Sequence, residues 1–114
     1  MASEKLDYAA TYYKQTAGTD GIADWMEIPG SPHIEIFRVS SNESADWIIC
    51  NKISRVKAVA IQNHGATFGT GKADPPKVTV TNAATGSGTT SAARITITHS
   101  ATQEVFSVMI IGEI

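Results

Sequence analysis

His33 and Glu35 form the closest pairing of a histidine with a carboxylate in the sequence. Residues two apart share one face of a strand, so both side chains could bind the same metal ion. His33, His64 and His99 stand beside predicted strand ends, where solvated imidazoles are common, and none has the spacing of known zinc ligands. We therefore expect no metal and no cofactor, with His33 and Glu35 as half of a site at most.

Residues 66–73 form a glycine-containing segment that looks at first like a phosphate-binding loop. Ala66 stands where that motif requires its first glycine, and Ala73 replaces the hydroxyl residue that binds magnesium. Pro75 and Pro76 follow closely and prevent the helix whose N-terminus would hold the phosphate. The segment is typical of a flexible loop.

Two residues could act as nucleophiles, but neither has the neighbours that this chemistry needs. Cys50 is the only cysteine, so no intrachain disulfide can form, and its position in the apolar run 47–50 predicts a buried thiol. Ser87 lies between two glycines without the Gly-x-Ser-x-Gly spacing or a following helix. We expect no catalytic residue and no enzymatic activity.

Length and charge exclude several broad classes of protein. The 114 residues make one domain, and 42% hydrophobic residues argue against global disorder. A net charge of −2 disfavours strong binding to nucleic acid or to an anionic membrane, and we interpret the basic residues Lys52, Arg55 and Lys57 as a solvated face. The start of the sequence has no apolar signal segment, which predicts synthesis in the cytoplasm.

The N-terminal segment, residues 1–18, has two readings. Leu6, Ala9, Ala10 and Tyr13 recur at helical spacing, whereas the β-favouring run 11–13 is typical of an extended arm. The local pattern does not decide between a short helix and an arm. Residues 19–114 form the main domain in either case.

The main domain is predicted to be all-β, a single antiparallel β-sandwich or flattened barrel of about seven strands. The predicted strands cover residues 22–28, 33–40, 45–50, 53–62, 77–81, 94–98 and 104–111. Residues 56–61 have little alternation and predict a central strand. The last three strands are predicted to form a meander, with Val78, Val80, Ile95 and Ile97 facing the core and the intervening threonines facing outward.

Aromatic and threonine side chains supply the candidate contact residues. Trp47 adjoins two isoleucines and is predicted to fill the core, while Trp25 could be buried or exposed. Exposed Trp on a β-sandwich can stack on sugars, so a carbohydrate-binding or adhesion module is the alternative function. The candidate interface comprises Tyr8, Tyr12, Tyr13, Trp25, Phe68, Thr79, Thr81, Thr96 and Thr98.

Four features carry a resemblance in overall texture: the Met1-Ala2-Ser3 start, the tyrosines of residues 8–13, the strands at 78–81 and 95–98, and the end within a strand at Ile114. Over its whole length the sequence resembles the small all-β structural proteins of tailed bacteriophages, especially capsid decoration or cement proteins. The resemblance implies a homotrimer or similar cyclic assembly that binds a capsid and stabilises the virion shell. It also implies localisation in the virion after synthesis in the host cytoplasm.

Overall fold

The computed structural model describes residues 5–6, 21–41, 44–66, 69–73, 75–82, 92–100 and 103–114. These residues contain seven strands: β1 Gly21–Ile28, β2 His33–Ser41, β3 Trp47–Ile49, β4 Arg55–Gly65, β5 Lys77–Thr81, β6 Arg94–Thr98 and β7 Glu104–Glu113. Within these ranges, no helix has the length and apolar character needed to cross a membrane.

The strands form two antiparallel sheets, one of four strands in the order β1-β2-β7-β4 and one of three in the order β3-β6-β5. The all-β, antiparallel prediction is therefore confirmed. The prediction of a flattened barrel is wrong, because within the described residues neither sheet closes on itself and each keeps two edge strands. Buried side chains from both sheets share one core, including Phe37 and Phe106 from the larger sheet and Ile48, Ile95 and Ile97 from the smaller.

Strand β7 occupies the centre of the larger sheet, where it pairs with both β2 and β4. The predicted meander through residues 94–98 and 104–111 is therefore wrong, since β6 and β7 belong to different sheets. β7 carries apolar residues on both faces, and the face with Phe106, Val108 and Ile110 packs in the core. The central position predicted for residues 56–61 is also wrong, because β4 is an edge strand with Lys57, Ala58 and Ala60 exposed.

The threonine-rich strands pair as the sequence predicts, with Val78 opposite Ile97 and Val80 opposite Ile95. Both isoleucines are fully buried, and Val78 packs against the core. Val80 is 39% exposed, because β5 lies at the edge of its sheet and has a neighbour on one side only. The core-facing pattern is therefore confirmed for three of the four aliphatic residues.

Only Lys5 and Leu6 of the N-terminal segment lie within the described residues, so the choice between helix and arm falls outside them. Lys5 forms an isolated parallel bridge with Trp47, and the Leu6 amide donates a hydrogen bond to the Trp47 carbonyl at 2.7 Å. The Leu6 side chain is 1% exposed and belongs to the core. This contact attaches the start of the chain to strand β3.

Replacing Leu6 by Ala should destabilise the whole domain, because it leaves a cavity among core side chains. We expect a loss of about 2–4 kcal/mol in the free energy of unfolding, measured by urea denaturation. Ile114→Ala is the matched control, since Ile114 is 72% exposed and its truncation removes little buried surface. Equal effects of the two substitutions would contradict the core position of Leu6.

Candidate functional site

The larger sheet carries apolar side chains on the face that points away from the core. We call this surface the apolar outer face, and it comprises two rows that cross all four strands: Ile28, Ile34, Ile111 and Ala58 in one, and Met26, Ile36, Met109 and Ala60 in the other. Strand alternation produces it, because the intervening residues of β2 and β7 are buried in the core. A sheet with one solvated face would normally be polar there.

At the β1 end of this face, Met26 is 53% and Ile28 is 46% exposed. A groove of about 240 Å³ runs beside Ile36, Ala60 and Met109. The next row on this face also crosses all four strands, and it is polar. It pairs Asp24 with Arg38, Arg38 with Ser107, and Ser107 with Gln62. The apolar outer face therefore has a polar border on this side, as contact surfaces between proteins commonly do.

The edges of the larger sheet are less suited to contact than its face. The β1 ladder is interrupted between Ile22 and Asp24, and the β4 ladder is interrupted between Val56 and Ala58. Lys57 lies at the β4 irregularity and forms an ion pair with Glu113 at 3.0 Å. Bulges and charged residues are the features by which natural sheets oppose edge-to-edge pairing.

A buried polar network connects the start of β7 to the end of β2. Ser41 Oγ donates to Asp46 Oδ2 at 2.7 Å and lies 2.8 Å from His99 Nε2. His99 Nδ1 lies 3.1 Å from Glu104 Oε2, and the other carboxylate oxygen forms an ion pair with Lys72. The side chains of His99 and Glu104 are nearly inaccessible to solvent.

Ser41, His99 and Glu104 have the order of a serine–histidine–acid triad, but their hydrogen bonds run the wrong way for nucleophilic chemistry. A catalytic serine gives its proton to the imidazole. Here the single hydroxyl proton goes to Asp46, so His99 Nε2 must be the donor to Ser41. Ser41 is also fully buried. These residues are arranged to hold β2, the 44–46 turn and β7 together.

Glu104 is the charged centre of this network. Burial alone would raise its pKa, but hydrogen bonds and charges from Lys72, His99 and Asn63 outweigh burial and lower the pKa. A cavity of about 130 Å³ lies beside the carboxylate and is also lined by Lys72, His99 and Pro76. The carboxylate therefore stays ionised, and its negative charge helps to hold the 69–73 segment against the sheet.

A second polar cluster lies on the β1–β2 hairpin, where Glu27, His33 and Glu35 place potential ligand atoms within 4.8 Å of one another. His33 is 1% exposed and Glu35 is fully buried. Glu35 accepts backbone hydrogen bonds from Asn51 at 2.5 Å, from Lys52 at 2.9 Å and from Ile53 at 3.0 Å.

Cys50 lies next to this second cluster and is buried, as its sequence neighbours predict. Burial and the nearby Glu35 carboxylate raise the pKa of the Cys50 thiol to about 12. A thiol with so high a pKa is protonated at neutral pH and is a poor nucleophile.

The expectation that the histidines have solvated imidazoles is wrong for two of them. His33 and His99 have buried imidazoles, although both flank strand ends. Sequence spacing paired His33 with Glu35, and the structure adds Glu27 from the neighbouring strand. His99 meets Glu104 from the start of the next strand and Ser41 from 58 residues away, and the sequence spacing did not indicate the contact with Ser41.

The predicted interface residues that the structure describes lie on both sheets. Trp25 packs partly against the core, with its ring centroid 6.4 Å from that of Phe37. Thr79, Thr81 and Thr98 are exposed and Thr96 is half-buried, all on the smaller sheet. Tyr8, Tyr12, Tyr13 and Phe68 lie outside the described residues.

The core position predicted for Trp47 is wrong, because Ile48 points into the core and Trp47 lies on the opposite face of β3. Trp47 is half-buried, and the Arg94 guanidinium covers its ring at 3.9 Å from the centroid. The indole face that a sugar would need is therefore occupied by a cation.

Comparisons of the chain with protein-family models, with curated proteins and with solved structures found no match.

Replacing Glu104 by Gln tests the buried network through its pH dependence. At pH 7 we expect E104Q to lose about 2 kcal/mol of unfolding free energy, because Lys72 and His99 lose their charged partner. The pKa of Glu104 is lowered on folding, so its contribution is present above the ordinary value of 4.5 and is lost as pH falls through the folded pKa.

The difference between wild type and E104Q should therefore shrink in urea denaturation series carried below about pH 4. Glu113→Gln is the control, since the Glu113 carboxylate is exposed and should matter less at every pH. A constant difference between wild type and E104Q from neutral to acid pH would contradict this account of the network.

Proposed function

We propose that this protein is a non-enzymatic structural subunit that assembles with copies of itself through the apolar outer face. The observation that carries the proposal is the continuity of eight apolar residues across all four strands of the larger sheet. Exposed apolar patches with a polar border mark contact sites between proteins. We also propose that the two sheets form a β-sandwich, because they bury one shared core.

A second copy is the partner that best matches this surface. Neither of its two rows contains a charged side chain, so the surface complements itself without burying unpaired charge. At its border, Asp24 and Arg38 provide one acidic and one basic group on neighbouring strands. A twofold arrangement could bring each group of one copy near the opposite charge of the other.

The virion role belongs to the same proposal. A small subunit of low net charge with a large contact surface suits a capsid decoration or cement protein, which stabilises a shell through contacts among its copies and with the capsid. The function requires no cofactor. The carbohydrate-binding alternative is less well supported, since Trp25 packs on the core and Trp47 lies beneath Arg94.

Replacing Met26 by Asp tests the proposed surface, because it places a charge at the most exposed of its β1 positions. We expect the wild-type protein to sediment as an oligomer at micromolar concentration and M26D to sediment at the monomer mass of 12.1 kDa. A charge buried in an apolar contact should weaken association by about 100-fold or more. Sedimentation velocity, with circular dichroism to verify folding, measures both.

Thr79→Asp is the matched control, since Thr79 is exposed on the smaller sheet and belongs to the threonine positions expected from the sequence to make contacts. The proposal expects T79D to remain assembled. A monomeric wild-type protein would contradict self-association. An oligomer that T79D disrupts and M26D leaves intact would place the contact on the threonine surface instead.

A further inference from the structure

The geometry of the β1–β2 hairpin brings together three side chains that can bind metal. Glu27 lies directly opposite Glu35 in the antiparallel register, and His33 precedes Glu35 by two residues on the same face of β2. Their ligand atoms all lie within 4.8 Å of one another. We propose that Glu27, His33 and Glu35 bind one divalent transition-metal ion with the ligand preferences of zinc.

The negative charges of the two carboxylates favour a bound cation. Glu35 is fully buried and the Glu27 side chain is 15% exposed, so two carboxylates meet with little water between them. Lys52 Nζ lies 3.9 Å from Glu27 Oε2, but this ammonium group is 55% exposed, and neutral His33 adds no positive charge to the cluster. A divalent cation between the carboxylates compensates both charges at once.

The hydrogen-bond partners of the His33 imidazole also favour a metal ligand at this position. Its Nε2 faces a Glu27 carboxylate oxygen, and its buried Nδ1 has no hydrogen-bond partner among the described residues. When Nδ1 carries the proton, the lone pair of Nε2 faces the Glu27 carboxylate and accepts no hydrogen bond from these residues. Its lone pair is therefore open to a metal ion, and a ring nitrogen is the commonest protein ligand for zinc and its neighbours.

Hydrogen-bond donors orient both carboxylates of the cluster. The backbone amides of Asn51, Lys52 and Ile53 fix the orientation of Glu35, and the Asn51 side-chain amide lies 3.4 Å from Glu27 Oε1. Metal-binding carboxylates are commonly oriented by such hydrogen bonds. A carboxylate has about four lone-pair positions, so Glu35 retains one for a cation.

The mixture of one imidazole and two carboxylates determines the class of ion. Calcium and magnesium prefer oxygen ligands alone, whereas zinc accepts both nitrogen and oxygen. Three protein ligands leave a fourth position for water, on the side where Glu27 is partly exposed. The bound ion would connect edge strand β1 to β2, and Glu35 would extend that connection to the 51–53 turn.

Zinc titration of the metal-free, tag-free protein tests the proposal directly. By isothermal titration calorimetry we expect one saturable site per chain, with affinity that falls as the pH is lowered, because protons compete for His33 and the carboxylates. Glu27→Gln should weaken binding by about ten-fold or more, while Glu113→Gln, which alters an exposed carboxylate outside the cluster, should leave it unchanged. Calcium and magnesium should not compete.

A measurement on the wild-type protein keeps the test decisive if E27Q fails to fold. Zinc should shift the imidazole ¹⁵N resonances of His33 and leave those of His64 and His99 in place. Absence of saturable binding, equal affinity in wild type and E27Q, or shifts confined to His64 or His99 would each overturn the proposal. These outcomes are independent of the oligomeric state, so the metal site and the assembly surface can fail separately.

Discussion

The connection between the two sheets depends on the hydrogen bonds that the buried carboxylate of Glu35 accepts. Three consecutive backbone amides, from Asn51 to Ile53, donate to it just where the chain leaves β3 in the smaller sheet and enters β4 in the larger one. Backbone amides aimed at one anion stabilise its charge and fix its orientation. The same carboxylate therefore fixes this crossing and faces Glu27 and His33, which links the fold of the domain to this buried polar cluster.

Local sequence pattern was sufficient to locate the strands but not their partners. The alternation of β2 correctly separates Glu35 and Phe37 from Ile34 and Ile36, because period-two burial is a local property of a strand. Pairing depends on contacts between distant segments, so the short link between β6 and β7 suggested a hairpin that does not form. Apolar residues lie on both faces of β7, but nothing in the local sequence identifies β2 and β4 as its neighbours.

In the candidate sites too, local pattern indicates residues on one strand but not the partners that come from other segments. His33 and Glu35 were visible as a pair because they lie on one strand, whereas Glu27 joins them only through the register of the hairpin. The network around His99 and Glu104 was invisible, because its members come from segments that meet only in the folded chain. The aliphatic residues of β7 form a continuous apolar face only together with those of β1, β2 and β4, which the strand order brings beside them.

The central position of β7 has a consequence for synthesis on the ribosome. Strands β2 and β4 are made earlier but do not pair with each other, because β7 lies between them. Until β7 emerges, both strands present unpaired amide and carbonyl groups along their inner edges. The larger sheet is therefore completed in one late step. A nascent chain stalled before Glu104 would carry two unpaired strand edges that are prone to aggregation.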